Sequence, residues 1–151
     1  MSAEWIQFIT WALIVVGWAV VNLTNNGREA RKEARSAVDS AKELISSIST
    51  TSVEYFTGTE NDLTYEIKSG LELLEIELER IRGFAGSHLF RAYLEFQEAC
   101  TGGDFESASR QQHPKTSQVI LALVRPRTSL VQSLEKKFRQ EYCWGWTWRS
   151  G

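Results

Sequence analysis

Residues 5 to 23 form a near-continuous apolar run without a formal charge: Trp-Ile-Gln-Phe-Ile-Thr-Trp-Ala-Leu-Ile-Val-Val-Gly-Trp-Ala-Val-Val-Asn-Leu. As a helix rising about 1.5 Å per residue, such a run reaches roughly 28 Å, close to the thickness of a bilayer's hydrocarbon core. It is expected to cross a membrane once. The competing reading is a core helix of a soluble protein, although the run is unusually long and uniform for that role. A signal peptide fits poorly, because Met1 to Glu4 holds no Lys or Arg and no small-residue cleavage site follows. The basic residues Arg28, Arg31, Lys32 and Arg35 come after the run instead. By the positive-inside rule they place everything after about Asn25 in the cytoplasm. Asn22-Leu23-Thr24 matches a glycosylation sequon but would abut the cytoplasmic face, so it is read as chance.

The organisation expected from this start is a transmembrane segment (1–25), a juxtamembrane stalk (26–57) and a cytoplasmic domain (58–151), all helical. Leu23, Gly27, Ala30, Ala34, Ala37, Ala41, Leu44 and Ile48 step by four and three, an a/d stripe between charged flanks. Alanines along a seam allow close approach. The partner is either a second copy of the stalk or the chain's own helices, and the sequence fits both. Ser46 to Ser52 is rich in Ser and Thr, has poor helix propensity, and is expected to loosen or end this helix.

Leu63, Ile67, Leu71, Leu74, Leu78 and Ile81 repeat the four-and-three spacing, with Asp62 as cap and Gly83 as terminator. The outward positions Glu66, Glu72, Glu75, Glu77 and Glu79 read as a solvated face. An aromatic-rich helix follows from about Ser87 to Cys100, broken at Thr101-Gly102-Gly103-Asp104. Phe105 to Gln112 is expected to form a short helical turn stopped by Pro114. Thr116 to Val124 suits a buried strand or a buried helix equally well by periodicity. Helix is expected because its surroundings are helical. Pro126 should end or kink it, and Ser129 to Tyr142 resumes amphipathically.

The two cysteines, Cys100 and Cys143, make no metal-ligand or disulfide framework, although one bridge between them stays open. His88 and His113 lack ligand partners at metal spacing, and no P-loop, GxSxG or glycine-rich cradle occurs. Neither an enzyme nor a cofactor is expected. A net charge of -2 argues against a duplex nucleic-acid partner. That average conceals an asymmetry. Glu54 to Cys100 carries ten acidic and four basic residues, whereas Thr101 to Gly151 carries four acidic and eight basic.

This basic third ends in Cys-Trp-Gly-Trp-Thr-Trp-Arg, with Trp144, Trp146 and Trp148 on one face if the segment is extended. The tail can fold back as core, dip into a headgroup region, or stack nucleobases with Arg149 supplying charge. Lys115, Arg125 and Arg127 lie in the same third, with Arg125-Pro126-Arg127 read as a rigid pair of guanidiniums suited to phosphate. Lys136, Lys137 and Arg139 read as a solvated helix face. Basic groups beside exposed aromatics suit a nucleotide, and anionic membrane lipid calls for much the same surface. The candidate ligand residues are therefore Lys115, Arg125, Arg127, Trp144, Trp146, Trp148 and Arg149.

The plan of Trp5–Leu23, then Arg28–Lys42, then a basic, Trp-rich end resembles small membrane-anchored bacterial defence effectors. Closest in plan are the membrane accessory effectors of type III CRISPR systems. The resemblance implies a homo-oligomer in the bacterial inner membrane. Its cytoplasmic domain would bind a cyclic oligoadenylate, such as cyclic tetra-adenylate, and perturb the membrane. The alternative is a passive adaptor whose acidic helix docks a protein partner.

Overall fold

The computed structural model describes residues 3–58, 63–103, 105–107 and 111–142. Four helices run in order: α1 (Ala3–Thr57), α2 (Leu63–Glu79), α3 (His88–Thr101) and α4 (Gln118–Tyr142). All regular secondary structure among the described residues is helical. The chain divides into two compact units, Met1–Glu33 and Ala34–Gly151.

The first unit belongs to α1. Its large apolar side chains lie open, with Trp5, Phe8, Trp11, Leu13 and Trp18 all more than 60% exposed. The apolar window of this helix is long and apolar enough to cross a membrane, by length and composition, and none of it is buried within the chain. This stretch is therefore not part of the core that the chain itself builds, since a core helix would hide these side chains.

The second unit is built round one core to which every helix contributes. From α1 come Ala34, Val38, Ala41, Ile45, Ile48, Tyr55 and Phe56. The stalk seam thus packs on the chain's own helices, and its phase differs from strict heptads. Ile45 is fully buried whereas Leu44 is only partly so. Ala34, Ile45 and Phe56 are spaced by eleven, as are Ala41 and Ser52, the period of a nearly straight helix rather than a left-handed supercoil.

The Ser/Thr-rich stretch does not end α1, contrary to its propensity. Two of its hydroxyls return to the helix: Ser49 Oγ donates to the Ile45 carbonyl at 2.7 Å and Thr50 Oγ1 to the Ser46 carbonyl at 3.0 Å. Burial of Ile48, Tyr55 and Phe56 outweighs a propensity deficit of a few tenths of a kcal/mol per residue.

In α2 the residues Ile67, Leu71, Leu74 and Leu78 are buried, as is Ile81 just beyond. Asp62 lies outside the described residues. Gly83, at φ +71°, serves the α2–α3 loop rather than the helix end at Glu79. Ser87 caps α3, its Oγ accepting from the Phe90 N–H at 3.3 Å. Leu89, Ala92, Tyr93, Phe96 and Cys100 face inward, while Leu94 is 44% exposed.

Residues 116–124 lie at the entry to and inside α4, which passes through Pro126 as one helix of 25 residues. Of the two outcomes expected at Pro126, an end or a kink, the end does not occur. Proline removes one hydrogen bond to the carbonyl four residues back, that of Ala122, and Ala122 is exposed where water can take its place. Burial of Leu123 and Leu130 on either side holds the helix in one piece.

Candidate functional site

The loop after α3 sets the geometry of the site. Its residues 105–107 and 111–112 hold no helix, and the rest of the turn expected at Phe105 to Gln112 lies outside the described residues. The loop is pinned to the last turns of α1. The Phe105 ring packs at 5.1 Å on Tyr55, and the Glu106 N–H donates to the Tyr55 hydroxyl at 3.0 Å. The His113 N–H donates to the Phe56 carbonyl at 2.8 Å, and its ring meets Phe56 edge-on at 6.3 Å. Pro114 opens a turn closed by the Ser117 N–H at 2.8 Å, and Ser117 Oγ accepts from the Ile120 N–H at 3.4 Å to start α4. This chain of contacts sets Lys115 beside the end of α1.

A groove of about 320 Å³ results between α1 and the first half of α4. Val53, Ile120, Leu123 and Val124 make it apolar, and Lys115 and Arg127 bring two cations to it. Arg127 Nη2 also donates to Ser46 Oγ on α1 at 3.4 Å. The groove carries one carboxylate, Glu54. Its three hydroxyls are already engaged as donors. Ser49 and Thr50 are bonded as described above, and Thr57 Oγ1 donates to the Val53 carbonyl at 2.8 Å. Donors for an anion therefore reduce to the Lys115 ammonium and the Arg127 guanidinium, the stronger kind because they are charged.

Of the sequence-derived ligand residues, the structure brings Lys115 and Arg127 together. Arg125 does not line the groove. Two positions apart on a helix means about 200° of rotation, so the two arginines lie on opposite sides of α4 rather than as a forked pair. Trp144, Trp146, Trp148 and Arg149 lie outside the described residues, as does Cys143. Among the described residues no aromatic ring lines the groove. The α1 wall was missed by sequence reading, which assigned that segment to a stalk. The available signal was the spacing of Ser46, Ser49, Thr50, Val53 and Thr57, a single helix face flanking the buried stripe.

Elsewhere, two titratable groups are strongly perturbed by the core. Burial, followed by the charge of Glu75, raises the Tyr93 phenol far above its ordinary range. Its hydroxyl donates to the Leu71 carbonyl and to Glu75 Oε2, both at 3.2 Å. Burial pushes the Cys100 thiol up to about 11, which keeps it protonated and unreactive at neutral pH. Both are structural groups. Among the described residues no three His, Cys, Asp or Glu side chains are grouped to hold a metal ion.

No protein family, curated protein or solved structure matches this chain.

Proposed function

We propose that the chain is a single-span membrane protein whose helical domain binds an anionic ligand and responds by acting on the membrane. The observation that carries this reading is that one helix, α1, supplies both an unburied apolar stretch at Trp5–Val21 and, at Ser49–Thr57, a wall of the groove that holds Lys115 and Arg127. The basic residues Arg28, Arg31, Lys32 and Arg35 support a cytoplasmic position for the domain. Exposed Trp11 and Trp18 favour association of several copies through the span. A membrane-perturbing defence effector gated by a cyclic oligonucleotide is the form that the resemblance suggests. In that form Lys115 and Arg127 contact phosphate, while Arg149 supplies further charge and the three tail tryptophans a stacking surface.

Titration of the purified full chain with cyclic tetra-adenylate tests the ligand half. Saturable binding at tens of micromolar, weakened about tenfold by Arg127→Gln or Lys115→Gln, supports it. Absence of binding, or indifference to both substitutions, overturns it.

A second reading, a passive adaptor, is favoured by the outer face of α2, where Leu73 and Ile76 are 53% and 56% exposed beside Glu72 and Glu79. Expression in a bacterial host separates the two. Depolarisation of the membrane favours the effector, and an inert membrane favours the adaptor.

A further inference from the structure

A second cleft, of about 430 Å³, lies where the start of α3 meets the middle of α4. Its chemistry differs from that of the groove. His88, Lys136 and Lys137 line it, together with Ser129, Gln132, Ser133 and Gln140, and among the described residues no carboxylate does. The α4 contributors run as 129, 133, 136 and 140 and as 129, 132, 136 and 140, with Lys137 four beyond Ser133, so they form one polar face beside the buried stripe of Leu130, Leu134 and Phe138.

The neighbouring carboxylates are committed. Glu135 is held by Lys42 and Arg35 of α1. Glu141 pairs with Lys137 at 2.8 Å, engaging one of that ammonium's three protons and leaving two. Lys136 is exposed and has no ion-pair partner among the described residues. A chain with net charge -2 thus concentrates three basic groups, drawn from two helices, in one acid-free concavity. The first turn of α3 also holds no acidic residue, so the helix end does not oppose an anion, although the side chains alone supply the charge. Unlike the apolar groove with its Glu54, this cleft has the donors that a doubly charged phosphate group requires. Its volume falls in the range of sites that enclose a small organic molecule.

We propose that the cleft between α3 and α4 binds a small phosphorylated ligand of about mononucleotide size, with Lys136, Lys137 and His88 contacting the phosphate and Ser129, Ser133 and Gln132 the remainder. The site is separate from the Lys115–Arg127 groove and stands whether or not that groove binds a ligand.

Calorimetric titration of the purified full chain tests this with three probes: inorganic phosphate, adenosine monophosphate and the short-chain lipid dihexanoyl phosphatidate. At least one should bind saturably below millimolar concentration. Tighter binding of the nucleotide than of the lipid identifies a free metabolite as the source, and the reverse identifies a lipid headgroup. Lys136→Gln and Gln132→Glu, both at exposed positions and so compatible with folding, should each weaken binding by about tenfold or more. Arg127→Gln should leave it within about twofold. The proposal is overturned if no probe saturates at millimolar concentration, or if Arg127→Gln abolishes binding while the two cleft variants retain it.

Discussion

Lys42 of α1 donates to the carboxylate of Glu135 on α4, and Arg35, two turns earlier on α1, donates to the same carboxylate at 3.3 Å. Arg35 also pairs with Asp39 at 3.0 Å and lies over the Phe138 ring at 5.5 Å. Two cations on one partly shielded carboxylate make a tie between these helices stronger than an isolated surface pair, which contributes only about 0–1 kcal/mol. The hydrogen bond from Lys42 is the main cause that holds the Glu135 carboxyl below its ordinary value.

A depressed folded-state pKa adds stability at pH values above the unfolded value of about 4.5, and that stability is lost as pH falls through the folded value. Glu135→Gln is therefore expected to lower the thermal midpoint at pH 7. The gap from the parent should narrow progressively below pH 4.5. Paired thermal melts across this range check it, and a gap that widens in acid would contradict the assignment.

Gly70 on α2 faces α1 so closely that a Cβ there would sit 2.9 Å from Ile48 Cγ1. In an open helix, Gly→Ala gains up to about 1 kcal/mol of helix propensity. Here Ile48 is buried and branched at Cβ, so its Cγ1 cannot yield easily. Gly70→Ala is expected to destabilise the protein despite the propensity gain, and chemical denaturation reads the sign.

Position along α1, rather than phase, gives a sharper contrast, since the buried part of the helix begins at Ala34. Ala41 is fully buried and Ala30 is exposed, although both belong to the same alanine stripe in the sequence. Ala41→Leu should cost about 1–3 kcal/mol through overpacking. Ala30→Leu should change stability by less than about 0.5 kcal/mol.

That contrast also shows how much of the fold the residues announce. The inward face of α2 and the start of α3 near Ser87 were legible, because regular apolar spacing is a short-range signal. The continuity of α1 through Ser46 to Ser52 and of α4 through Pro126 was not. In each case a weak local preference yields to the burial of distant partners such as Tyr55 and Leu130. The groove was half legible. Lys115 and Arg127 stood out as basic residues, but their convergence depends on the Phe105–His113 contacts to α1, which no spacing encodes. Arg125 was grouped with Arg127 by adjacency, whereas helical rotation separates them.

Cys100 offers a test of core integrity. Its buried thiol, raised to about 11, should resist maleimide at pH 8 in a Cys143→Ser background and react fully once denaturant opens the core. The raised value implies the opposite pH sense from Glu135. The stability associated with the protonated thiol is present below the unfolded value of about 9 and is lost as pH rises through about 11. Rapid labelling of the native protein would contradict the burial of Cys100 in the core.

The central claim is that the unburied apolar stretch of α1 anchors the chain in a bilayer. Alkaline carbonate extraction of membranes from expressing cells tests it most directly, comparing the full chain with Leu13→Arg/Val16→Arg. The parent is expected to stay in the membrane pellet, while the double variant moves to the supernatant with its helical content retained. Release of the parent chain into the supernatant would contradict it.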